Sequence, residues 1–387
     1  ILKNMAYAYP YILLLLTFAI LAIANKYYED TKKKQTAINI LTLLIFVLFF
    51  GFRGFVAYDW TAYFNLFTNI PDLHTFFKEN TSRFKVEPGF LLLVATCKTI
   101  IPSYLFFQIT CTVINITLLT RFIKKYTNNI PAVLVIFICM SGLEFSIDLM
   151  RNSLSIFIFL NAIPYIEKKQ PVRYFIICGL AACFHTSALM YIPMYFILNR
   201  KANKKLLLVI FIIANITCVL RLPIFKTIAV FATNIISPTA AQYINAYMSF
   251  ESAGSPLGIG YLEKLFTGIM LFCYMDKLKA LRKNYILINS MFLYIILNLL
   301  LGEFRTISIR CSNLFAFAYW IVWLDLLKCF YYKSNKAIYF IVLSTYCLLK
   351  IYSGCSGSMS QYYNVLLEEQ SHNERFIYFR QHQNDKK

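Results

Sequence analysis

The chain has 387 residues, of which 59% are hydrophobic and only 14% are charged. A soluble protein could not cover that much apolar surface, whereas about 20 consecutive apolar residues suffice for one helical crossing of a bilayer. The formal net charge of +20 would suggest nucleic-acid binding on a soluble chain, but here Lys and Arg cluster in short loops between apolar segments. This distribution follows the positive-inside rule, so we expect a lipid bilayer and not nucleic acid as the partner.

Apolar segments recur along the chain and predict an all-α polytopic membrane protein with about 10–12 transmembrane helices. They cover residues 6–25, 36–52, 88–102, 103–121, 131–146, 151–166, 174–198, 205–222, 259–275, 285–301, 311–327 and 337–352. Six basic loops lie between them, and placing all six in the cytoplasm is the assignment of lowest cost. These loops are residues 26–34, 121–125, 168–173, 200–205, 277–283 and 328–336.

The predicted domain organisation is a single multi-pass transmembrane domain over residues 1–365, followed by a polar C-terminal tail at 366–387. Two long loops, at 53–87 and 238–258, fall on the outer side of this arrangement.

Two apolar segments do not fit a simple count of crossings. Residues 88–102 are short and end at Pro102, which allows a re-entrant segment. Residues 174–198 have a basic loop on both sides, so a single crossing would leave one of these loops outside. Either this segment enters the bilayer and returns with His185 near its turn, or it is one tilted helix with Arg200 and Lys201 outside. The sequence leaves both alternatives open.

Several ionisable residues lie within or beside apolar segments. Charges at membrane depth cost roughly 2.5–3.5 kcal/mol on insertion scales, so they usually face the protein interior or a wet cavity. Glu144, Asp148 and Arg151 follow one another at helical spacing, which predicts that they share one face of a helix. The cytoplasmic assignment of the basic loops also places the following residues toward the outer face: Arg53, Asp59, Glu87, His185, Arg305 and Arg310. We interpret these residues as parts of one site.

The cysteine pattern argues against metal or disulfide chemistry. The eleven cysteines include no CxxC pair, and most lie inside apolar segments, where they behave as small hydrophobic residues. No acidic metal-binding pair stands out either. We therefore expect neither a metal nor another cofactor.

Several short motifs, in the same order and at similar spacing, resemble those of the EpsG family over residues 40–365. The motifs are Gly51-Phe52-Arg53, Tyr58-Asp59-Trp60-Thr61-Ala62-Tyr63, Glu87-Pro88-Gly89-Phe90, Arg151-Asn152, Phe184-His185-Thr186-Ser187-Ala188, Ile309-Arg310-Cys311 and Tyr362-Tyr363-Asn364. The chain departs from the family pattern at Asn152, where glutamine is usual, and at Ala57, where a glycine is common.

The EpsG family is similar to Wzy-type polymerases, so the resemblance implies a membrane glycosyltransferase with a GT-C-like architecture in the bacterial cytoplasmic membrane. Such an enzyme joins oligosaccharide repeat units linked to polyprenyl pyrophosphate into a capsule, O-antigen or exopolysaccharide on the extracytoplasmic side. The resemblance also implies a polysaccharide chain-length regulator as a partner.

The implied reaction requires cations for the diphosphate leaving group and a base for the acceptor hydroxyl. Arginine binds phosphate oxygens through paired, charge-assisted hydrogen bonds and keeps its charge at physiological pH. The candidate residues for binding the diphosphate or the glycan are Arg53, Arg151, Arg310, Arg305, Tyr63 and Glu87. His185 and Asp59 are the candidate bases, and histidine has the more suitable unperturbed pKa near neutral pH.

Structural roles and other functions also fit these residue types. Arg53 could anchor a helix at the interface, and His185 could hydrogen-bond a neighbouring helix. Arg151 could form an ion pair with Asp148 or Glu144. A transporter or flippase of lipid-linked glycan would show related halves or broken helices in corresponding positions, which the sequence does not plainly show. A membrane O-acyltransferase is a third alternative.

Overall fold

A computed structural model describes most of the chain, namely residues 2–78, 84–224, 226–228, 258–368 and 370–382. The chain divides into two compact units, the first made of Ile1–Pro193 and Tyr331–Lys387 and the second of Met194–Phe330. The predicted outer loop at 238–258 lies outside the described residues except for Gly258. The prediction of one transmembrane domain over residues 1–365 stays a prediction.

The described residues form α-helices and short helical turns, and they contain no β-strand. The helices are α1 (Leu2–Tyr27), α2 (Lys32–Gly51), α3 (Trp60–Asn69), α4 (Leu73–Phe76), α5 (Pro88–Ile100), α6 (Tyr104–Ile123), α7 (Ile130–Phe137), α8 (Leu143–Ile147), α9 (Met150–Leu160), α10 (Ile163–Glu167), α11 (Pro171–Ala182), α12 (Met194–Ile197), α13 (Lys204–Leu220), α14 (Ile259–Arg282), α15 (Ile286–Leu300), α16 (Arg305–Asn313), α17 (Phe317–Cys329), α18 (Lys333–Cys355) and α19 (His372–His382). A π-helical turn at Ile138–Gly142 joins α7 to α8, and 3₁₀-helices lie at Thr186–Tyr191 and Ser358–Ser360.

Five helices or helix runs among the described residues are long and apolar enough to cross a bilayer. They are Ala6–Tyr27, Lys32–Gly51, Tyr104–Ile123, Ile130–Ile147 and Lys333–Cys355. A sixth crossing follows if the bent pair α16 and α17 counts as one span. Further apolar helices have only 10–17 residues, which explains why apolar runs outnumber full-length spans. The chain is therefore an all-α polytopic membrane protein, as the sequence predicts. Among the described residues, five or six helices are long enough to span the bilayer, against the 10–12 transmembrane helices predicted.

Capping side chains and prolines set several helix starts. The Asn129 side chain accepts a hydrogen bond from the backbone N–H of Ala132 at 3.1 Å, and Pro131 lies in the first turn of α7. Asn203 accepts from the N–H of Lys205 at 2.9 Å at the start of α13. Both arrangements supply partners for N–H groups that a helix start leaves unpaired, so the local sequence fixes where these helices begin.

The first unit has a basic end and an opposite end that carries the candidate residues. At the basic end, Lys125 lies 2.8 Å from the carboxylate of Glu167. At the other end, the residues after α2 meet those after α18, since the N–H of Gly54 donates to the carbonyl of Tyr363 at 3.0 Å. The lengths of α2 and α18 separate these two ends, which is the separation that the charge pattern predicts.

Two elements of the first unit are too short to cross the hydrocarbon core. The 13 residues of α5 and the 12 of α11 rise about 20 Å and about 18 Å, against a core of about 30 Å. After α11 the chain turns back at His185, and the Tyr174 hydroxyl donates to the Tyr191 carbonyl at 2.6 Å. Of the two alternatives for this segment, the structure therefore has the one that returns. Beside α4, Leu73 N–H donates to the hydroxyl of Thr99 near the end of α5.

The second unit contains α12 to α17 and is held together by buried polar contacts. Asp325 is 1% exposed, and its carboxylate accepts two hydrogen bonds from the guanidinium of Arg282, at 2.5 and 2.6 Å. The Asn289 amide donates to the carbonyls of Leu198 and Arg200, both at 2.8 Å. These paired groups satisfy polar atoms that burial would otherwise leave without partners.

Candidate functional site

Arg53 follows the end of α2 and is buried, with 4% of its surface exposed. Its guanidinium donates to the carbonyl of Phe50 and, at 3.1 Å, to that of Ile147. Gln108 on α6 donates its side-chain amide to the carbonyls of Gly51 and Arg53, at 2.9 and 2.7 Å. These bonds fix the end of α2 against α6 and α8, and they commit the Arg53 guanidinium to backbone carbonyls.

The residues after α2 pair with the late motif Tyr362-Tyr363-Asn364. Arg53 and Asn364 form an isolated antiparallel bridge, and the N–H of Phe55 donates to the Tyr363 hydroxyl at 2.9 Å. A Cβ on Gly54 would lie 1.8 Å from the ring of Tyr363, so only glycine fits beside this ring. Two motifs at opposite ends of the sequence thus form one structural element.

The helical conformation is interrupted between α8 and α9, where Leu149 has φ −81° and ψ 53°. At this break the carboxylate of Asp148 accepts hydrogen bonds from the backbone N–H groups of Tyr58 and Asp59, both at 3.0 Å. A carboxylate bound in this way orders the loop that carries Asp59. The prediction of one shared helix face is therefore wrong for Arg151, which lies beyond the break. Glu144 and Asp148 stay one helical turn apart, since the N–H of Asp148 donates to the carbonyl of Glu144 at 3.0 Å.

Ala57, directly before this loop, has a positive φ of 64°. Its N–H donates to the carbonyl of Met359 at 3.0 Å. Alanine pays about 1–2 kcal/mol for the left-handed conformation that glycine adopts freely. Ala57 therefore holds, at some cost, a conformation for which glycine is better suited.

Tyr63 and Trp60 lie on α3 and are buried, with 8% and 4% of their surface exposed. The Tyr63 ring packs on Phe90 at a centroid distance of 5.8 Å, and its hydroxyl accepts from the N–H of Arg151 at 3.5 Å. Burial, and then the negative charge of Asp59, raise the pKa of Tyr63 to about 12, so this hydroxyl stays neutral at physiological pH. Tyr63 supports the start of α9 with its hydroxyl and packs its ring in the core.

Arg151 forms an ion pair with Glu87, which precedes α5. The guanidinium lies 2.7 Å from one carboxylate oxygen of Glu87, and the other oxygen accepts from the N–H of Thr186 at 3.1 Å. Burial raises the pKa of Glu87. Hydrogen bonds from the N–H groups of Glu87 and Thr186, together with the charge of Arg151, lower it by more, so the pKa of Glu87 lies below its ordinary value. Glu87 is thus ionised and connects Arg151 to the turn at His185.

Gly89 allows the start of α5 to approach this turn closely. Its N–H donates to the carbonyl of Cys183 at 2.8 Å, and a Cβ on Gly89 would lie 2.7 Å from the same oxygen. The two short elements, α5 and the hairpin after α11, therefore meet at their ends. Irregular backbone at membrane depth is tolerated where it is buried in protein or lines water, which is typical of sites in membrane proteins.

His185 is half-buried in an extended conformation and caps the 3₁₀-helix that follows it. Its Nδ1 accepts from the backbone N–H of Ser187 at 3.2 Å and lies 2.8 Å from the Ser187 hydroxyl. That hydroxyl also lies 3.2 Å from the side-chain oxygen of Asn152 on α9. Because a backbone N–H can only donate, Nδ1 is an acceptor, and a neutral His185 carries its proton on Nε2.

The structure brings six of the predicted residues together in the first unit, through the contacts described above. These residues are Arg53, Asp59, Tyr63, Glu87, Arg151 and His185. Arg305 and Arg310 lie on α16 in the second unit, where both side chains are exposed, and their place in the site stays a prediction.

Gln108 and Arg375 support the site but are absent from the sequence prediction. Arg375 on α19 is 4% exposed and donates to the carbonyl of Phe55 at 2.7 Å and to that of Gln361 at 2.9 Å. His372 on the same helix stacks on Phe64 at 4.0 Å. Part of the predicted polar tail is therefore packed on the loop after α2. Gln108 could have been found as a polar residue in an apolar segment, whereas α19 has no apolar stripe at helical spacing that would indicate its packing.

Across the described ranges, no group of three or more His, Cys, Asp or Glu side chains could hold a metal ion together. The charged side chains at the candidate site are paired instead with each other and with backbone groups, as for Glu87 with Arg151.

Fold and site together define a multi-pass α-helical membrane protein that presents a paired Arg–Glu cluster and a histidine turn on short, returning elements. The EpsG family model matches residues 36–365, which is most of the chain. The chain therefore belongs to the EpsG family, a Wzy-type polymerase-like family of membrane proteins in polysaccharide biosynthesis. Comparison with curated proteins and with solved structures gives no match.

Proposed function

We propose that the protein is a polymerase that joins repeat units linked to polyprenyl diphosphate into a surface polysaccharide. The reaction takes place on the extracytoplasmic side of a bacterial cytoplasmic membrane. The observation that carries this proposal is the network in which Glu87 connects Arg151 to the turn at His185. It places a cation and an imidazole beside one another at the end of the unit away from the basic loops.

The reaction breaks the bond between the donor sugar C1 and the diphosphate oxygen and forms a bond between C1 and the acceptor hydroxyl oxygen. The acceptor proton passes to a base, and polyprenyl diphosphate leaves with the electron pair of the broken bond. Negative charge grows on the diphosphate as the bond breaks, so a fixed cation there stabilises the transition state more than the ground state.

Arg151 is the residue that we assign to the diphosphate. Its side chain is 28% exposed, whereas that of Glu87 is 11% exposed, so the guanidinium reaches further toward solvent than its partner. A guanidinium has five N–H donors, and the bond to Glu87 uses a single one. The ion pair fixes the direction of the side chain, which lowers the cost of ordering it when the diphosphate binds.

His185 is better suited to donate a hydrogen bond than to accept the acceptor proton. Its Nδ1 lone pair already receives the N–H of Ser187, so a neutral ring presents Nε2–H as a donor. We assign Nε2–H to a diphosphate or glycosidic oxygen, and we assign the role of base to Asp59. The loop that carries Asp59 is held by Asp148, which gives the carboxylate a defined place near α9.

Arg53 and Tyr63 are assigned as positioning residues, because both are buried and their polar groups are bound to the protein. Arg305 and Arg310 remain further candidates for the diphosphate. A chain-length regulator is the protein partner that we propose, and the lipid-linked oligosaccharide and the bilayer are the other partners.

A gene deletion tests the proposed function against its alternatives. We expect the deletion strain to accumulate single lipid-linked repeat units on the outer face of the membrane. Accumulation on the inner face would indicate a flippase, and full-length polymer that lacks a modification would indicate an acyltransferase. Either of these results would overturn the proposal.

Reconstitution gives the direct test. Purified protein in liposomes, supplied with the lipid-linked repeat unit, is expected to produce glycans of increasing length and to release polyprenyl diphosphate in equal amount to the new glycosidic bonds. Absence of both products from a correctly folded preparation contradicts the proposed reaction.

A further inference from the structure

A cavity of about 230 Å³ lies in the first unit beside the break between α7 and α9. Its walls come from α1, the loop after α2, the segment at 138–148 and the end of α18. The lining residues that matter for recognition are Tyr11, Tyr58, Glu144, Asp148, Lys350 and Gly354. None of the roles assigned above uses this cavity.

The irregular backbone after α7 forms one wall of the cavity. Met140 has φ −115° and ψ 84°, and Ser141 has a positive φ of 67°, so helical hydrogen bonding is interrupted at the π-helical turn. Such turns inside helices are frequent at functional sites. The interruption places Ser141, Glu144 and Asp148 along the cavity wall.

Two of the lining groups are held by bonds to the protein. The Tyr11 hydroxyl donates to the carbonyl of Ser360 at 3.0 Å, and Tyr11 is 1% exposed. Asp148 accepts the two N–H groups of the loop after α2. Small-molecule sites combine apolar or aromatic walls with a few polar groups of defined direction, and this cavity has both.

The size and charge of the cavity select among ligands. At ~30 Å³ for each water molecule, the volume corresponds to ~8 waters, which is close to the space of one sugar ring. The lining carries two carboxylates, of Glu144 and Asp148, and one ammonium group, of Lys350. The carboxylates accept hydrogen bonds from sugar hydroxyls, whereas the oxygens of a diphosphate are themselves acceptors and find no donor in a carboxylate.

The cavity also adjoins the candidate site through Asp148. Its carboxylate binds the N–H of Asp59, and Arg151 follows three residues later in the chain. A sugar in the cavity would therefore lie beside the loop that carries Asp59.

We propose that this cavity binds one uncharged sugar residue of the acceptor glycan. The proposal rests on the proposed polymerase function and adds a location for the acceptor. The diphosphate end of the donor would bind at Arg151, and the acceptor sugar would bind between Tyr11 and Glu144.

Gly354 offers a way to fill the cavity without disturbing the helix. It lies on α18, and a Cβ there would meet no atom within 4 Å. Gly179 on α11 is also exposed and has the same open surroundings but does not line the cavity. Gly354→Leu and Gly179→Leu are therefore matched variants, each of which removes a helical glycine.

The assay uses the full-length protein in liposomes with saturating lipid-linked donor and, as acceptor, the repeat-unit oligosaccharide on an octyl chain. This acceptor lacks the diphosphate and cannot act as a donor. We expect Gly354→Leu to raise the KM for this acceptor at least tenfold, while Gly179→Leu matches the wild type. Equal KM values for the two variants would overturn the proposal.

A second variant covers the case in which Gly354→Leu folds poorly. Glu144→Gln keeps the shape of the side chain and weakens its hydrogen bonds to hydroxyls, so the acceptor KM should rise by about threefold to tenfold. An unchanged KM would contradict the proposed subsite.

A wild-type protein that transfers nothing to any acceptor would contradict the polymerase function itself. Thermal-shift binding of the octyl glycoside would then still test the cavity, with loss of binding expected only in Gly354→Leu. Equal binding by both glycine variants would overturn the subsite.

Discussion

Arg53 after α2 and Arg151 at the start of α9 belong to the same unit but have different surroundings. Arg53 is 4% exposed, and its guanidinium donates to backbone carbonyls. The Arg151 side chain is 28% exposed and pairs with the carboxylate of Glu87. Both arginines carry the same predicted role, since both lie in family-like motifs near the outer face. Burial and bonding partners, and not residue type, separate the arginine that supports the backbone from the one that can reach a ligand.

Replacement of Arg53 should have the largest effect on stability. Arg53→Ala removes the donors to the carbonyls of Phe50 and Ile147 and leaves a void, so we expect a loss of about 3 kcal/mol or more in the free energy of unfolding. The melting temperature and the yield of monodisperse protein in detergent measure this loss. Arg53→Ala protein that melts like the wild type yet transfers no sugar would instead make Arg53 a ligand of the diphosphate.

Replacement of Arg151 should affect activity far more than stability. Arg151→Ala leaves a half-exposed site, so we expect near-normal melting but a fall in glycosyl transfer of about 10²–10³-fold. Arg151→Lys should recover little, because an ammonium group cannot form the paired bonds of a guanidinium. Arg173→Ala, in the first turn of α11, is the control and should transfer at the wild-type rate. Transfer by Arg151→Ala within threefold of wild type would contradict the assigned role.

The sequence predicted the elements of the fold from local information. Hydropathy and the positions of Lys and Arg predicted the helices and the separation of the basic end from the candidate residues. The same information could not decide whether residues 174–198 cross or return, because both forms have identical composition. The bond between Tyr174 and Tyr191 that marks the return forms only after the hairpin has packed.

The pairing within the candidate site could be predicted only in part. The motif order indicated Glu87, Arg151 and His185, but helical spacing suggested Asp148 or Glu144 as the partner of Arg151. Periodicity assumes a continuous helix, and the break at Leu149 invalidates that assumption. The actual partner, Glu87, is 64 residues away in sequence, and no local pattern reports such a contact.

The Glu87 carboxylate gives the stability of the Arg151 region a dependence on pH. The pKa of Glu87 is below its ordinary value in the folded protein, so its contribution to stability is present above the ordinary pKa of about 4.3 and is lost as pH falls through the folded value. We expect Glu87→Gln to lower the melting temperature at pH 7 by about 2 °C or less, since the pair is partly exposed to solvent.

The difference in melting temperature between Glu87→Gln and the wild type should disappear at acidic pH, where the wild-type carboxylate becomes protonated. Melting curves from pH 7 down to pH ~3.5 check this, with Asp30→Asn as a control for an exposed carboxylate that lies outside the network. A melting-temperature difference that stays constant across this pH range would show that the charge of Glu87 does not stabilise the folded protein.

Ala57 offers the smallest change, directly between the Arg53 region and the loop bound by Asp148. Its φ of 64° costs alanine about 1–2 kcal/mol, and glycine removes that cost. Glycine also gives the unfolded chain more conformational freedom, which opposes folding by about 0.4–1 kcal/mol. We therefore expect Ala57→Gly to stabilise the protein by about 0.5 kcal/mol, measured by denaturant or thermal unfolding. Ala62→Gly, in the regular helix α3, should destabilise it by about 1 kcal/mol. If both variants lose stability, the left-handed conformation at Ala57 is not the strained one that its backbone angle indicates.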